Sequence, residues 1–579
     1  MTTVDDLALI FTAQSSATPG WSLVRATDLT PSAKPHIRVE ELHADGADPG
    51  EIKRHVEHVM SALGSSASEL ATTPGGASWL HVHQVPVRRL VSQVVRKLLA
   101  LSAWPPFAIA PGPITVTPEQ QLIGERDSSS QEYRSYTVTW PGIAYLLGAE
   151  VTAASTPSSS CSFTGVDTHE VPISSTAAVV ALSWSSRHAG TLLPVLSEVS
   201  RHEQRSLLLD LATDPAQRCP KVENPLITVH RIPRTRFLAL GGFSTATRQP
   251  DDSRSVLIGE HPVLVGRLIN LAARLLERSA GCTQPSWCAT VNAEAWLDGI
   301  LAATRPATML LSNDTSPLGA LAVHVADRLG VRTVYVQHGA WIPGSVAWPA
   351  LHCRHIVVMG ERDADLAAGW VRRGDAEIHV LGQPRFDALA SADRPRQRRY
   401  LENLLALEGG RPPERIAVWA CQPFSRSRLR AQAEILLEGI REAEGNWGLV
   451  IAPHPAQDPH AFEAFPGLRA AVADPEVGAR GCLAGSDTVV TVSSTCGIEA
   501  MLLDVPVLEL HLPGEQTLGL AEHQVAHACM DAADVVEALS HLATSPHRTP
   551  APDRAKNAVC RWDGATAATV AKLALSPSS

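Results

Sequence analysis

The sequence predicts an α/β protein: two doubly wound, Rossmann-like parallel-sheet domains facing a cleft, preceded by an N-terminal accessory region. Three observations predict it. Short uncharged apolar runs recur between residues 177 and 510, as in strands buried on both faces. Helical patterns separate them, the rhythm of βαβ units. Polar residues cluster directly after the strand ends, where open α/β sheets bind their ligands.

Composition sets the outer bounds. The chain has 579 residues, 45% hydrophobic and 19% charged, which excludes a mostly disordered or collagen-like chain. A net charge of −10 argues against a protein built to neutralise a nucleic-acid backbone. It leaves room for a local basic pocket. Ten cysteines are scattered with no C-x-x-C pair, which suits a reducing cytoplasm. Met1 to Ala13 carries Asp5 and Asp6 and lacks the basic start of a secretory signal. No stretch of about 18 uncharged apolar residues predicts a membrane span.

Residues 1–170 form the accessory region. Val85 to Leu101 reads as a helix with an apolar face, and Arg88, Arg89, Arg96 and Lys97 are expected on its other side. A helix packed on a core is the first reading; one lying on a membrane surface is the alternative. His81 and His83 form an H-x-H pair with no third ligand at metal spacing. The Ser/Thr/Pro-rich run Ala153 to Ser162 reads as a linker.

An N-terminal Rossmann-like domain is expected over 173–358. Its strands are Ala177 to Trp184, Ser206 to Leu211, Ala307 to Leu311 and Thr333 to Val336. Helices are expected over Thr191 to Val199 and over Leu318 to Leu329, the second closed by Gly330. A C-terminal Rossmann-like domain is expected over 359–560. Its strands are Ile378 to Leu381, Ile416 to Ala420, Leu449 to Ala452, Thr488 to Val492 and Val505 to Leu510. Helices are read over Arg428 to Glu442 and over Cys496 to Leu503. Residues 561–579 read as a C-terminal helix or tail.

Five clusters follow strand ends. Asn313 to Ser316 either cap the next helix or turn Asp314 toward the cleft as a base or acceptor. In Gln337-His338-Gly339 the imidazole is placed for proton transfer, and the glycine permits close approach. In Gly382-Gln383-Pro384-Arg385-Phe386-Asp387, Arg385 offers a planar fork to phosphate, or pairs with Asp387 to tie the loop. In Pro453-His454-Pro455, the prolines fix where His454 points. In Val492 to Ala500, a strand gives way to a helix at Ser493, Ser494 and Thr495, an anion site at a helix N-terminus. Glu499, one turn further in, is placed to accept from ribose hydroxyls. Gln422, just past the strand ending at Ala420, joins these candidate nucleotide-binding residues. Asp363-Ala364-Asp365 has the D-x-D form but reads as an exposed acidic face. Classical NAD and ATP motifs and the hydrolase elbow are absent from the sequence.

Together these motifs resemble the GT-B superfamily, over about residues 175–545. Within it, Gln337-His338-Gly339, Gly382 to Asp387, His454-Pro455 and Ser493 to Ala500 look like bacterial surface-polysaccharide and CDP-glycerol glycerophosphotransferase-type enzymes. The resemblance implies His338 as the base, His454 on the donor phosphate, and Ser494 and Thr495 as phosphate holders. It implies no metal and no cofactor beyond a nucleotide-activated donor, a nucleotide sugar or CDP-polyol. The implied acceptor is a glycan or a lipid-linked molecule, with the protein in the cytoplasm or peripheral at the inner face of the membrane. Asn313 to Ser316 is similar to the Gly-Asp-Thr segment of non-hydrolysing UDP-N-acetylglucosamine 2-epimerases, which would make Asp314 catalytic. That family carries a glutamate where this chain has Gln337 to Ala340. A degenerate, non-catalytic scaffold of the same fold is the third reading.

Overall fold

The computed structural model describes residues 176–232, 253–278, 287–343, 350–406, 413–424, 426–454, 457, 462, 470–512, 515–544 and 550–576. Before residue 154 it describes 7–12, 20–25, 37–38, 48–65, 72–102, 114–116, 122–126, 135–148 and 151–153. The linker after Ala153 and Pro455 lie outside the described side chains.

The N-terminal lobe is built on a seven-stranded sheet. Its strands are β1 (Val179–Ser183), β2 (Ser206–Asp210), β3 (Ile227–Arg231), β4 (Thr308–Leu311), β5 (Arg332–Val336), β6 (His355–Val358) and β7 (Glu377–Val380). Their spatial order is β3-β2-β1-β4-β5-β6-β7, all parallel. The uncharged runs form these strands because both faces are covered. Val180, Leu182, Met309 and Leu311 enter one core; Val179, Ala181, Leu310 and Val334 enter the other. Each such fully buried Val, Leu or Met side chain contributes roughly 1.5–3 kcal/mol.

The C-terminal lobe repeats the plan. Strands β8 (Arg415–Ala420), β9 (Trp447–Ala452), β10 (Ala470–Val472), β11 (Thr488–Thr491), β12 (Val507–Leu510) and β13 (His527–Cys529) run parallel in the order β10-β9-β8-β11-β12-β13. Ile416 and Val418 face one core, Ala417 and Trp419 the other. The predicted pair of Rossmann-like sheets is therefore present. In each, the order reverses between two central strands, β1 and β4 or β8 and β11. Such a switch point leaves a crevice at the carboxyl ends of the strands.

Three expectations about the boundaries change. The first sheet runs to Val380, not to residue 358, because β6, the helix Glu361–Trp370 and β7 form one βαβ unit that a boundary at 358 cuts. The C-terminal helix Thr566–Leu575 returns to the N-terminal lobe. Val570, Ala571 and Ala574 pack there beside Val179 and Leu192, and the Thr308 hydroxyl donates to the Ala574 carbonyl at 2.7 Å. The accessory core is not confined to residues 1–170. Leu90, Val94 and Leu98 of the helix Gln84–Ser102 pack with Ile258 and Val263 of a hairpin, and with Leu268 and Leu271 of the helix that follows it. Burial of that face makes Gln84–Ser102 a core helix. Arg88 departs from the expected solvent face: it is buried and pairs with Glu57 at 2.7 Å. No helix among the described residues is long and apolar enough to cross a membrane.

Candidate functional site

The carboxyl ends of both sheets open on one cavity of about 470 Å³. That volume lies within the range of small-molecule sites. The N-terminal lobe contributes Arg187, His338, Gly339 and Trp341; the other wall brings Arg385, Gln422, His454, Arg480, Ser493 to Cys496 and Glu499. The structure thus brings together every predicted site residue except Asp314. Three guanidinium groups face one carboxylate here, in a chain whose net charge is −10. The local field favours an anion.

His338 follows β5 directly. Its Nδ1 hydrogen-bonds to the carbonyl of Ser312, past the end of β4. A carbonyl only accepts, so Nδ1 carries the proton and Nε2 keeps its lone pair. The His188 ring packs edge-on against His338 at 4.7 Å and fixes its plane. Burial pulls the His338 pKa down to about 4, and Arg385 and Arg187 push the same way. The imidazole is neutral at pH 7.

Behind it, Gln337 and Gln383 hold the loops in register. Gln337 donates to the Gly339 carbonyl at 3.0 Å and to Asp363 at 2.8 Å, and it accepts from Met359 N–H. Gln383 donates to the Gln337 carbonyl and accepts from Arg385 N–H. Asp363 is fully buried and is also held by Arg362 at 2.7 Å. The exposed acidic face expected of the D-x-D segment is therefore corrected for Asp363 and holds for Asp365 alone.

Asp314 is the principal correction. It is fully buried, and one carboxylate oxygen accepts from the backbone N–H of His352 at 2.7 Å and of Cys353 at 2.9 Å. Burial raises its pKa to about 6, against those two hydrogen bonds. The side chain turns inward to bind the start of the segment leading into β6, and it does not line the cavity. The capping reading of its neighbours fits: Ser316 accepts from Gly319 N–H at the start of helix Pro317–Arg328.

The other wall centres on Glu499. Its carboxylate accepts from Arg480 at 2.5 and 2.7 Å and from Arg385 at 3.3 Å. Three of its roughly four lone-pair directions are taken, so its main work in this structure is to hold two arginines rather than to await a ribose. Burial pulls the Arg385 pKa down to about 10, opposed by Glu499; the group stays charged at pH 7. Its buried Nε–H has no acceptor among the described residues. Asp387 does not pair with Arg385. It accepts from Thr566 and Ala567 N–H and caps the returning C-terminal helix.

Helix Thr495–Leu502 begins at the C-terminal switch point. Ser494 is its N-cap and accepts from Cys496 N–H at 3.3 Å. The Ser493 hydroxyl bonds Gln422 across the crevice between β8 and β11. Thr495 accepts from Ala340 N–H of the opposite lobe at 3.2 Å, so its hydroxyl joins the lobes at the cavity floor.

The sequence reading missed two arginines. The first helix starts at Ser186, not at Thr191, with Ser185 as N-cap. That extra turn aims Arg187 across the cleft, where its Nη2 bonds Nε2 of His454. Burial and Arg187 together pull the His454 pKa down to about 4. The Ser185-Ser186 pair after a strand was the signal for that earlier start. Arg480 lies in an irregular segment before β11, and only the fold brings it to Glu499.

No protein-family model matches the chain, and no curated protein does. Solved structures align with about two thirds of the chain at low TM-scores. A UDP-N-acetylglucosamine 2-epimerase from Methanocaldococcus jannaschii, in complex with UDP-GlcNAc and UDP, aligns with a TM-score of 0.44 and 12% identity, over 68% of this chain and 98% of its own. The S. aureus MnaA–UDP structure aligns at 0.40 and 11%, over 68% and 94%. The wall teichoic acid polymerase TagF aligns at 0.38 and 9%, over 70% and 90%.

Proposed function

We propose that this chain is a metal-independent GT-B transferase. It moves a glycosyl or polyol-phosphate group from a nucleotide-activated donor of CMP, CDP or UDP type to a hydroxyl of a glycan or lipid-linked acceptor. The observation that carries the reading is the Arg385–Arg480–Glu499 cluster, with its unclaimed buried N–H, in one cavity with an imidazole whose Nε2 is left as an acceptor.

The donor's phosphates would sit against Arg187, Arg385 and Arg480 at the start of helix Thr495–Leu502, where backbone N–H groups and the helix dipole favour negative charge. As the acceptor oxygen bonds to the transferred group, its proton passes to Nε2 of His338. The bond to the nucleotide phosphate breaks, and its electron pair leaves with that phosphate. Arginines stabilise the growing charge. Phosphates nearby also raise the proton affinity of His338, toward that of a useful base. His454, held by Arg187, contributes to the same anion wall. Surface-polysaccharide synthesis would place this reaction in the cytoplasm or at the inner membrane face.

The epimerase alternative needs Asp314 at the sugar. In this structure that carboxylate is sealed beneath the loop before β6. The test uses CDP-glycerol and UDP-N-acetylglucosamine with and without a polyol-phosphate or glycan acceptor. Nucleotide release that requires acceptor supports transfer. Deuterium entry at C2 of the sugar without acceptor would overturn it in favour of the epimerase. His338→Ala should lower turnover by roughly 10²–10⁴-fold with little change in donor affinity; normal turnover would remove the base.

A further inference from the structure

The amino ends of β6 and β7, opposite the cleft, hold side chains that the proposed reaction does not use. His355 opens β6, Glu377 opens β7, and His379 lies two residues further on. The register pairs His355 with Glu377 and Val357 with His379, so strand alternation puts all three on one face. Nδ1 of His355 stands 3.2 Å from Nε2 of His379. One Glu377 carboxylate oxygen stands 3.6 Å from the first nitrogen and 3.8 Å from the second. Those two separations are too long for hydrogen bonds. The circle through three points so spaced has a radius of about 2.1 Å, the bond length from zinc to imidazole nitrogen or carboxylate oxygen. Ligands around tetrahedral zinc stand about 3.4 Å apart, inside the observed range.

We propose that His355, Glu377 and His379 form a binding site for one divalent transition-metal ion, best suited to zinc, with its fourth position open to water. Two imidazoles and one carboxylate are a donor set for Zn²⁺ or Co²⁺ rather than for Ca²⁺ or Mg²⁺. The Glu377 side chain is 56% exposed, which gives the ion an entry path. Arg332 and Arg354 are the nearby positive charges. Arg332 is engaged elsewhere, donating to the Leu573 and Ser576 carbonyls at the end of the C-terminal helix. None of the three ligands lines the cleft, so the ion takes no part in the proposed transfer. Its effect is mechanical. β7 is the edge strand of its sheet, and the turn carrying Arg385 leaves from its far end. A metal clip between β6 and β7 fixes the base of that strand.

The test uses the full chain without a histidine tag, stripped by a chelator. Calorimetry with ZnCl₂ should show one bound equivalent, and CoCl₂ should give the intense visible band of four-coordinate cobalt. His355→Gln, Glu377→Gln and His379→Gln should each weaken zinc by about 100-fold or more. His527→Gln, outside the cluster, should leave it unchanged. Glu377→Gln alters an exposed side chain of nearly equal size, so its folding, checked by circular dichroism, keeps the comparison valid. Absence of stoichiometric zinc binding, a weak six-coordinate cobalt spectrum, or full binding by a Glu377→Gln/His379→Gln double variant would each overturn the proposal.

Discussion

Neutralising Glu499 probes the anion wall without removing an arginine. Glu499→Gln keeps the volume and one acceptor oxygen but strips the charge from a side chain that is 2% exposed. Two guanidinium groups then face each other without a counter-ion. Removing one partner of a buried pair costs about 3–5 kcal/mol. The Arg480 side chain is 47% exposed and regains water, whereas Arg385 is 13% exposed and stays stranded. The expected loss is therefore nearer about 2–4 kcal/mol. Urea unfolding followed by tryptophan fluorescence reads it, since Trp419 and Trp447 sit in the C-terminal core. A double-mutant cycle with Arg385→Met should recover a coupling of about 1 kcal/mol or more. Pyrophosphate restores the missing negative charge, so it should stabilise the variant more than the parent. A variant within about 0.5 kcal/mol of the parent, or an equal gain from pyrophosphate, would refute the claim that Glu499 holds the two arginines in place for an anion.

Two further outcomes follow from the same geometry. His338 and His454, held near 4, and His352, held near 3, stay neutral in the fold but take up protons when unfolded below about pH 6.5. Their contribution is present above that pH and is lost as pH falls toward the folded values. Asp314 acts the other way. Its folded pKa of about 6 exceeds the unfolded value, so its contribution is full below about pH 3.9 and is lost as pH rises through 6. Asp314→Asn should therefore steepen the acid loss of stability in urea midpoints measured between pH 7 and 4; a shallower profile would contradict this. Gly382 has φ of +99°, and a Cβ there would stand 2.2 Å from the Arg561 carbonyl oxygen. Gly382→Ala should lower the melting temperature and displace the Arg385 turn, read as weaker pyrophosphate binding; an unchanged melt would show that the turn relaxes freely.

Much of the fold was legible because parallel strands buried on both faces admit few charges. Ile416 to Ala420, Leu449 to Ala452 and Thr333 to Val336 lie within strands of nearly the predicted extent. The site was legible for a related reason: Gln422 and Ser493 follow the two strands of the C-terminal switch point, and His338 and His454 follow interior strands next to a switch-point strand. Orientation was not legible. Asp314 sits at an equivalent strand end, yet two backbone N–H groups before β6 draw it inward. Arg480 meets Glu499 only through tertiary packing. Beyond the helix Gln84–Ser102, the accessory region stayed unread because its core is shared with a segment more than a hundred residues away, Ser255 to Arg278.

The most direct measurement is calorimetric titration of the full chain with CMP, CDP and UDP. At least one nucleotide should bind with one-to-one stoichiometry. Arg385→Met and Arg480→Met should each weaken it by about 10–100-fold, as expected for losing charged hydrogen bonds, while His338→Ala should leave it nearly intact. Failure of all three nucleotides to bind, or undiminished binding by the Arg385→Met/Arg480→Met double variant, would contradict a nucleotide site between the lobes.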